Sequence, residues 1–241
     1  HGARSTNSKI KCIGYTHAPI FKHQHAISRL LGNGYDPDQI LTSGTTQKVQ
    51  LESTNKLLGI PINILGSKRV NVVPKINSKK PYKIIESKNL KKTCLVLPEG
   101  LEPEIKLLFD YSLKCAKKFP DLNFIWRLHP LFSFESLKEK YVLYSSIPEN
   151  VEFSTYRSLE DDFEISQWAL YRGSSTVFQA ILAGLKPLYF QQNAGLKIDP
   201  LYELKGWREE VQNEGDIEAI MKSSIDFARL SQKARISAIN L

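Results

Sequence analysis

Tyr171-Arg172-Gly173-Ser174-Ser175-Thr176 lies between the short apolar run Trp168-Ala169-Leu170 and the segment Val177-Phe178-Gln179-Ala180-Ile181-Leu182-Ala183-Gly184. A strand that ends in glycine and passes straight into a helix leaves backbone N–H groups unpaired. Those groups and the helix dipole favour an anion, and the serine hydroxyls add further donors. Some forty residues earlier, Phe124-Ile125-Trp126-Arg127-Leu128-His129-Pro130 reads as a second buried strand with an arginine and a histidine at its carboxyl end. In a parallel α/β sheet both endings lie on the same edge, where ligands bind. These residues predict a pocket for a phosphorylated ligand, a nucleotide foremost.

The bland alternatives are definite. Ser and Thr cap helices in any protein, but one residue suffices for a cap, and Ser174-Ser175-Thr176 offers three hydroxyls in a row. In an alternating strand Arg127 and His129 share one side, where His129 would touch phosphate or ribose or else cap the strand end. Arg127 serves equally well as a phosphate contact or as an ion pair beneath the loop. Glu99-Gly100-Leu101-Glu102-Pro103-Glu104 places acids at a third strand end. Glu99 is read as a base or sugar-hydroxyl contact with Gly100 beside it, although acids enrich the first turn of any helix. His17, at the end of an early strand facing an interdomain cleft, is an acceptor-side or catalytic candidate. His17, His23 and His25 have no Asp, Glu or Cys at ligand spacing, so no metal or other cofactor is expected. Asp161-Asp162 is read as the solvated face of an acidic helix. Asp199, after the Phe190 strand, is expected near the bound ligand.

The elements that must carry these residues alternate. In the first stretch, Ile10–Tyr15, Gln39–Gly44 and Ile62–Gly66 read as strands, with a helix from Thr45/Thr46 to Leu58. From 93 onward the pattern is clearer. Strands begin at Cys94, Phe124, Val151, Trp168 and Pro187. Helices run over Glu104–Phe119, near Phe134–Tyr141 and from Ser174, and a last one capped by Asp216 continues to about Ala234. Strand–helix alternation at this spacing implies parallel sheets with crossover helices. The expected fold class is α/β, with two Rossmann-like parallel-sheet units, the first incomplete. The expected division is 1–75 for a partial amino-terminal unit, 76–92 for a polar, lysine-rich linker, and 93–241 for the nucleotide-binding unit.

Composition narrows the classes. The chain has 241 residues, 41% hydrophobic and 24% charged, enough to bury a substantial core. The three cysteines, Cys12, Cys94 and Cys115, are too far apart for a zinc motif or a disulfide framework, so Cys94 and Cys115 are expected in the core and the setting is expected to be a reducing cytoplasm. A net charge of +8 suits anionic partners. The lysines are dispersed and no RNP-like or zinc-finger motif is present, so specific nucleic-acid binding is not expected. No apolar run is long enough to span a membrane, and peripheral contact with the inner membrane surface fits the charge.

Arg127-Leu128-His129-Pro130, Gly173-Ser174-Ser175-Thr176 and Lys186-Pro187-Leu188-Tyr189-Phe190 together resemble the carboxyl-terminal half of GT-B glycosyltransferases that build bacterial surface carbohydrates. The pattern is similar to the CMP- and CDP-dependent groups: sialyltransferases and polysialyltransferases, Kdo transferases and CDP-glycerol glycerophosphotransferases. Gly14-Tyr15-Thr16-His17-Ala18 and Asp38–Gly44 resemble strand ends late in the amino-terminal GT-B domain. The resemblance covers residues 10–66 and 93–200. It implies that Arg127, His129, Pro130, Gly173, Ser174, Ser175 and Thr176 hold the donor's phosphate. It also implies a nucleotide-sugar donor and a glycan or lipid-linked acceptor. The sialyltransferase groups carry a D/E-D/E-G motif whose acid acts as general base, which Pro98-Glu99-Gly100 matches in part. The front half of the first unit is expected to be missing from this chain, which on its own would bind nucleotide without turnover. A UDP-GlcNAc 2-epimerase-like enzyme and a non-catalytic nucleotide-binding module are the alternatives.

Overall fold

In a computed structural model the chain forms two compact units, one holding the first three strands and the other the remaining six. The residues described are 2–23, 26–32, 34–67, 92–192, 195–203 and 208–223. The segment expected to be a linker lies outside them except for its last residue, Lys92, which opens a strand.

The first unit begins with a short helix, α1 (Gly2–Thr6), followed by β1 (Ile13–Thr16), β2 (Gln39–Thr42), α2 (Thr45–Ser53) and β3 (Ile62–Ile64). The strands are parallel in the order β1-β2-β3. Ile40, Leu51, Leu57 and Ile62 form its small core. Helix α2 stops at Ser53, short of the expected Leu58. Asn55 adopts φ 52° two residues later, and Gly59, at φ 85°, turns the chain toward β3.

The second unit runs β4 (Lys92–Leu97), α3 (Glu102–Lys118), β5 (Leu122–Trp126), α4 (Phe134–Lys140), β6 (Val151–Phe153), α5 (Leu159–Ile165), β7 (Trp168–Tyr171), α6 (Thr176–Leu182), β8 (Lys186–Phe190), β9 (Glu209–Val211) and α7 (Glu214–Lys222). Its sheet is parallel throughout, in the order β6-β5-β4-β7-β8-β9. A parallel sheet is covered on both faces, which explains why Thr93–Leu97 and all of β7 and β8 are buried. Even Lys186 is buried, its charge met by Glu209 at 2.7 Å. Helix α3 begins with Pro103 in its first turn, has Glu102 and Glu104 there, and ends on Lys117 and Lys118, each matched to the helix dipole. It packs Phe109 against Trp126, with stacked rings 4.1 Å apart, and Ser112 Oγ accepts a hydrogen bond from Trp126 Nε1 at 2.9 Å. Cys94 and Cys115 are both buried, as expected.

Three helix starts differ from the sequence reading. Helix α3 begins at Glu102 rather than Glu104. Helix α6 begins at Thr176 rather than Ser174. Helix α7 is capped by Asn213, whose side chain accepts from Gly215 N–H, while Asp216 reaches back to the Asn213 N–H. The stretch expected to continue it beyond Ser223 lies outside the described residues.

Candidate functional site

The strand order reverses beside β4. From β4 the chain steps outward to β5 and β6, then returns to β7 on the other flank. The connections after β4 and β7 therefore leave on opposite faces, and the carboxyl edge at such a reversal is where parallel α/β sheets form their ligand crevice. Residues distant in sequence meet there. A β-carbon on Gly100 would stand 3.1 Å from His129 Nδ1, and one on Gly173 would stand 1.3 Å from Glu99 Oε1. The loops after β4, β5 and β7 thus converge on one spot, and they bring together Glu99, Gly100, His129 and Gly173.

Glu99 is altered by this environment. Its Oε1 is buried with no hydrogen-bond partner. Burial pushes its carboxyl above the usual range, the neighbouring Glu104 carboxylate adds to the rise, and Arg172 opposes it. Arg172 is buried, ion-paired with Glu104, and donates from Nη2 to the Leu196 carbonyl at 2.7 Å. Ile198 closes the far side, its Cδ1 3.0 Å from the Gly173 β-carbon position. Three successive residues of the β7 ending therefore hold the loop after β8: Tyr171 bonds Asp199, Arg172 bonds Leu196, and Gly173 meets Ile198.

Gly173 and Ser174 are buried at this turn, whereas Ser175 and Thr176 are half-buried. Ser175 occupies the cap position of α6 with helical dihedrals, and its hydroxyl makes no capping bond. Val177 N–H donates instead to the Ser174 carbonyl, and Phe178 N–H to the Ser175 carbonyl. The helix is started by backbone bonds.

Arg127 and His129 both lie beyond β5, which ends at Trp126, so the strand alternation expected to put them on one side does not extend to them. Arg127 Nη1 donates to Asp162 Oδ2 at 2.7 Å, to Ser154 Oγ at 3.1 Å and to the Arg157 carbonyl at 3.1 Å. Of its two sequence readings, the ion pair beneath the loop is the one realised in these contacts. His129 is exposed, lies over Gly100, and accepts at Nδ1 from Leu131 N–H at 3.4 Å; Pro130 is exposed beside it.

The expected solvated face at Asp161-Asp162 is corrected by half. Asp161 caps α5 in a reciprocal pair with Ser158, but Asp162 is fully buried. Besides Arg127, it accepts from Arg157 Nε at 3.0 Å and from Ser154 Oγ at 2.5 Å. A charge this buried persists because cations face it. Asp199 is likewise internal. It accepts from Tyr171 Oη at 2.9 Å and from Leu201 N–H at 2.8 Å, and Arg208 Nε stands 3.1 Å away. Burial raises its pKa against the pull of Arg208.

His17 lies in the first unit, exposed just after β1, with its ring 6.3 Å from that of Tyr15. His25 is outside the described residues. Among the described residues no cluster of three or more His, Cys, Asp or Glu side chains could hold a metal ion, and no helix is long and apolar enough to cross a membrane.

Sequence reasoning missed Arg172, Glu104 and Ile198 as partners of the crevice. Arg172 had a visible signal, since it directly precedes the glycine turn. Glu104 stands in the same acidic run as Glu99, a visible signal, whereas nothing local pointed to Ile198, which arrives from the loop after β8.

No protein-family model and no curated protein matches the sequence. Solved structures do match in fold. The GtfA/B complex aligns with 98% of this chain and 50% of that chain at 16% identity, with a TM-score of 0.59. A glycotransferase of kitacinnamycin aligns with 84% of this chain and 51% of that chain at 12% identity and TM-score 0.51. A putative UDP-N-acetylglucosamine 2-epimerase from Listeria monocytogenes aligns with 84% and 53% at 12% identity and TM-score 0.51. The chain spans about half the length of these structures. The likeness is one of fold: two parallel-sheet α/β units of the kind found in GT-B glycosyltransferases.

Proposed function

We propose that this chain is the donor-binding part of a GT-B glycosyltransferase, taking a sugar from a CMP- or CDP-linked donor to a surface polysaccharide or lipid-linked glycan. The observation that carries the reading is the meeting of Glu99, Gly100, His129 and Gly173 at the point where the strand order reverses. In this reading the Gly173–Thr176 segment, with its N–H groups and hydroxyls, receives the donor phosphate, and His129 lies at its flank. Together they neutralise the charge that develops on the leaving phosphate, which removes the need for a metal ion. Glu99, whose carboxyl is pushed above its ordinary range by burial, is the acid–base group. Arg127 contributes from beneath by fixing the β5 ending through Asp162, and Asp199 by fixing the loop beside the donor sugar. His17 serves the acceptor side. Residues 93–241 form the donor domain and 1–75 part of the acceptor domain. The chain would act in a bacterial cytoplasm, peripherally at the inner membrane.

Calorimetric titration with CMP, CDP, UMP, UDP and GDP tests this. CMP or CDP should bind, and Ser174→Ala, Ser175→Ala and His129→Ala should each weaken binding about tenfold to a hundredfold, the effect of losing a charge-assisted hydrogen bond. Silence from every nucleotide would sink the reading. A uridine preference would instead favour an epimerase, a second reading supported by the fold likeness to the Listeria protein. Binding without transfer to any acceptor would leave a non-catalytic nucleotide-binding module.

A further inference from the structure

Glu99 raises a question of charge that the phosphate reading does not answer. Its Oε1 lies against Gly173, buried and unpartnered, in the same crevice that would receive a phosphate. An ionised carboxylate there would face the ligand's negative charge across a few ångströms in a poorly solvated site. A protonated carboxyl would instead donate its O–H to a phosphate oxygen.

We infer, building on the proposed function, that a phosphate-bearing ligand entering the β4/β7 crevice takes up one proton from solvent, which resides on Glu99 and forms a hydrogen bond to the ligand. No covalent bond of the ligand changes; the carboxylate gains H⁺ and the solvent loses it.

The surrounding groups favour this. From α3 comes Glu104, a second carboxylate whose Oε2 is also buried and unpartnered. From the β7 ending comes Arg172, among the described residues the one cation in direct opposition, with Nη1 engaged by Glu104, Nη2 by the Leu196 carbonyl, and Nε buried without a partner. From the β5 ending comes His129, over Gly100. The loop after β8 presents Ile198 to Gly173; of its charged residues Lys197 is exposed, and Asp199 is paired with Arg208. Even without ligand, Glu99 is already shifted toward its neutral form by burial and by Glu104. An added phosphate shifts it further in the same direction.

The direction of the linkage follows. Binding raises the affinity of Glu99 for its proton, so protonation raises the affinity for the ligand. Affinity falls as pH rises between the free and bound pKa values, by up to about tenfold per pH unit, the slope for one linked proton.

The test is calorimetry with CDP-glycerol and UDP-N-acetylglucosamine, phosphodiesters with no titrating proton of their own near neutrality. Each titration is run in PIPES and in Tris, whose ionisation enthalpies differ. Wild type should show buffer-dependent heat corresponding to uptake of up to one proton. Glu99→Gln should bind with the same heat in both buffers and with no pH dependence. Binding by wild type without uptake overturns the inference and leaves the nucleotide reading standing. Uptake that persists in Glu99→Gln also overturns it, since the proton then resides elsewhere, with His129 the alternative. Heat from neither compound, together with silence in the nucleotide panel, overturns the proposed function and this inference with it.

Discussion

Glu99 Oε1 occupies the place of a side chain that Gly173 does not have: any β-carbon there would stand 1.3 Å from it. The two loops are therefore fitted to each other through an absent methyl group, not through a bond. The φ of Gly173 is not in the left-handed region, so alanine is acceptable to the backbone and only the neighbours object.

Gly173→Ala should accordingly fold but expel the Glu99 carboxyl from its place. Overpacking of this kind costs about 1–3 kcal/mol, and Glu99→Ala in the same chain should recover most of it. A double-mutant cycle by denaturant titration measures the coupling; additive effects would show that the two residues do not share this space.

The protonation of Glu99 also affects folding. Its folded-state pKa is raised above the ordinary 4.5, so the native state binds the proton more tightly than the unfolded chain. Stability from this group is intact below pH 4.5 and is lost as pH climbs through the folded value. Glu99→Gln should therefore match wild type near pH 4 and become more stable than wild type toward pH 8. Thermal melts across that range give the difference, and a constant offset would contradict the assignment.

Arg127 and Asp162 form a mostly buried pair, with Asp162 fully enclosed. Asp162→Ala leaves Arg127 without its carboxylate and should destabilise the fold by about 3–5 kcal/mol, whereas Arg127→Ala should cost less, because Arg157 still faces Asp162. A direct phosphate ligand would behave otherwise: Arg127→Ala would reduce nucleotide affinity with the melting temperature unchanged.

Of the three cysteines, only Cys12 is partly accessible. The Cys115 thiol is pushed up to about 12 by burial, and Cys94 is pushed higher still. Native alkylation followed by peptide mapping should label Cys12 alone. Modification of Cys94 before unfolding would show that the second core opens.

The α/β alternation was legible because parallel strands buried on both faces are written as apolar runs, as in Cys94–Leu97 and Phe124–Trp126. β9 was not, since Glu209-Glu210-Val211 is a short edge strand with one buried residue. Asp162 was misread because its counter-charges come from elsewhere: Arg157 is five residues away and Arg127 thirty-five. The crevice was half legible. Its glycines and Glu99 stand at strand ends visible in sequence, but that Glu99 would fill the hollow at Gly173 depends on β4 and β7 being neighbours, and no local pattern encodes that pairing.

The stacking of Trp126 on Phe109 has a spectroscopic consequence. The chain has three tryptophans, at 126, 168 and 207, and none before residue 126. Trp126 and Trp168 are both enclosed in the six-stranded unit. Indole emission thus follows the melting of that unit and is silent about the three-stranded one, whose aromatic reporters are tyrosines such as Tyr15. A single fluorescence transition would describe half of the architecture, and far-ultraviolet circular dichroism is needed to see whether the other half melts with it.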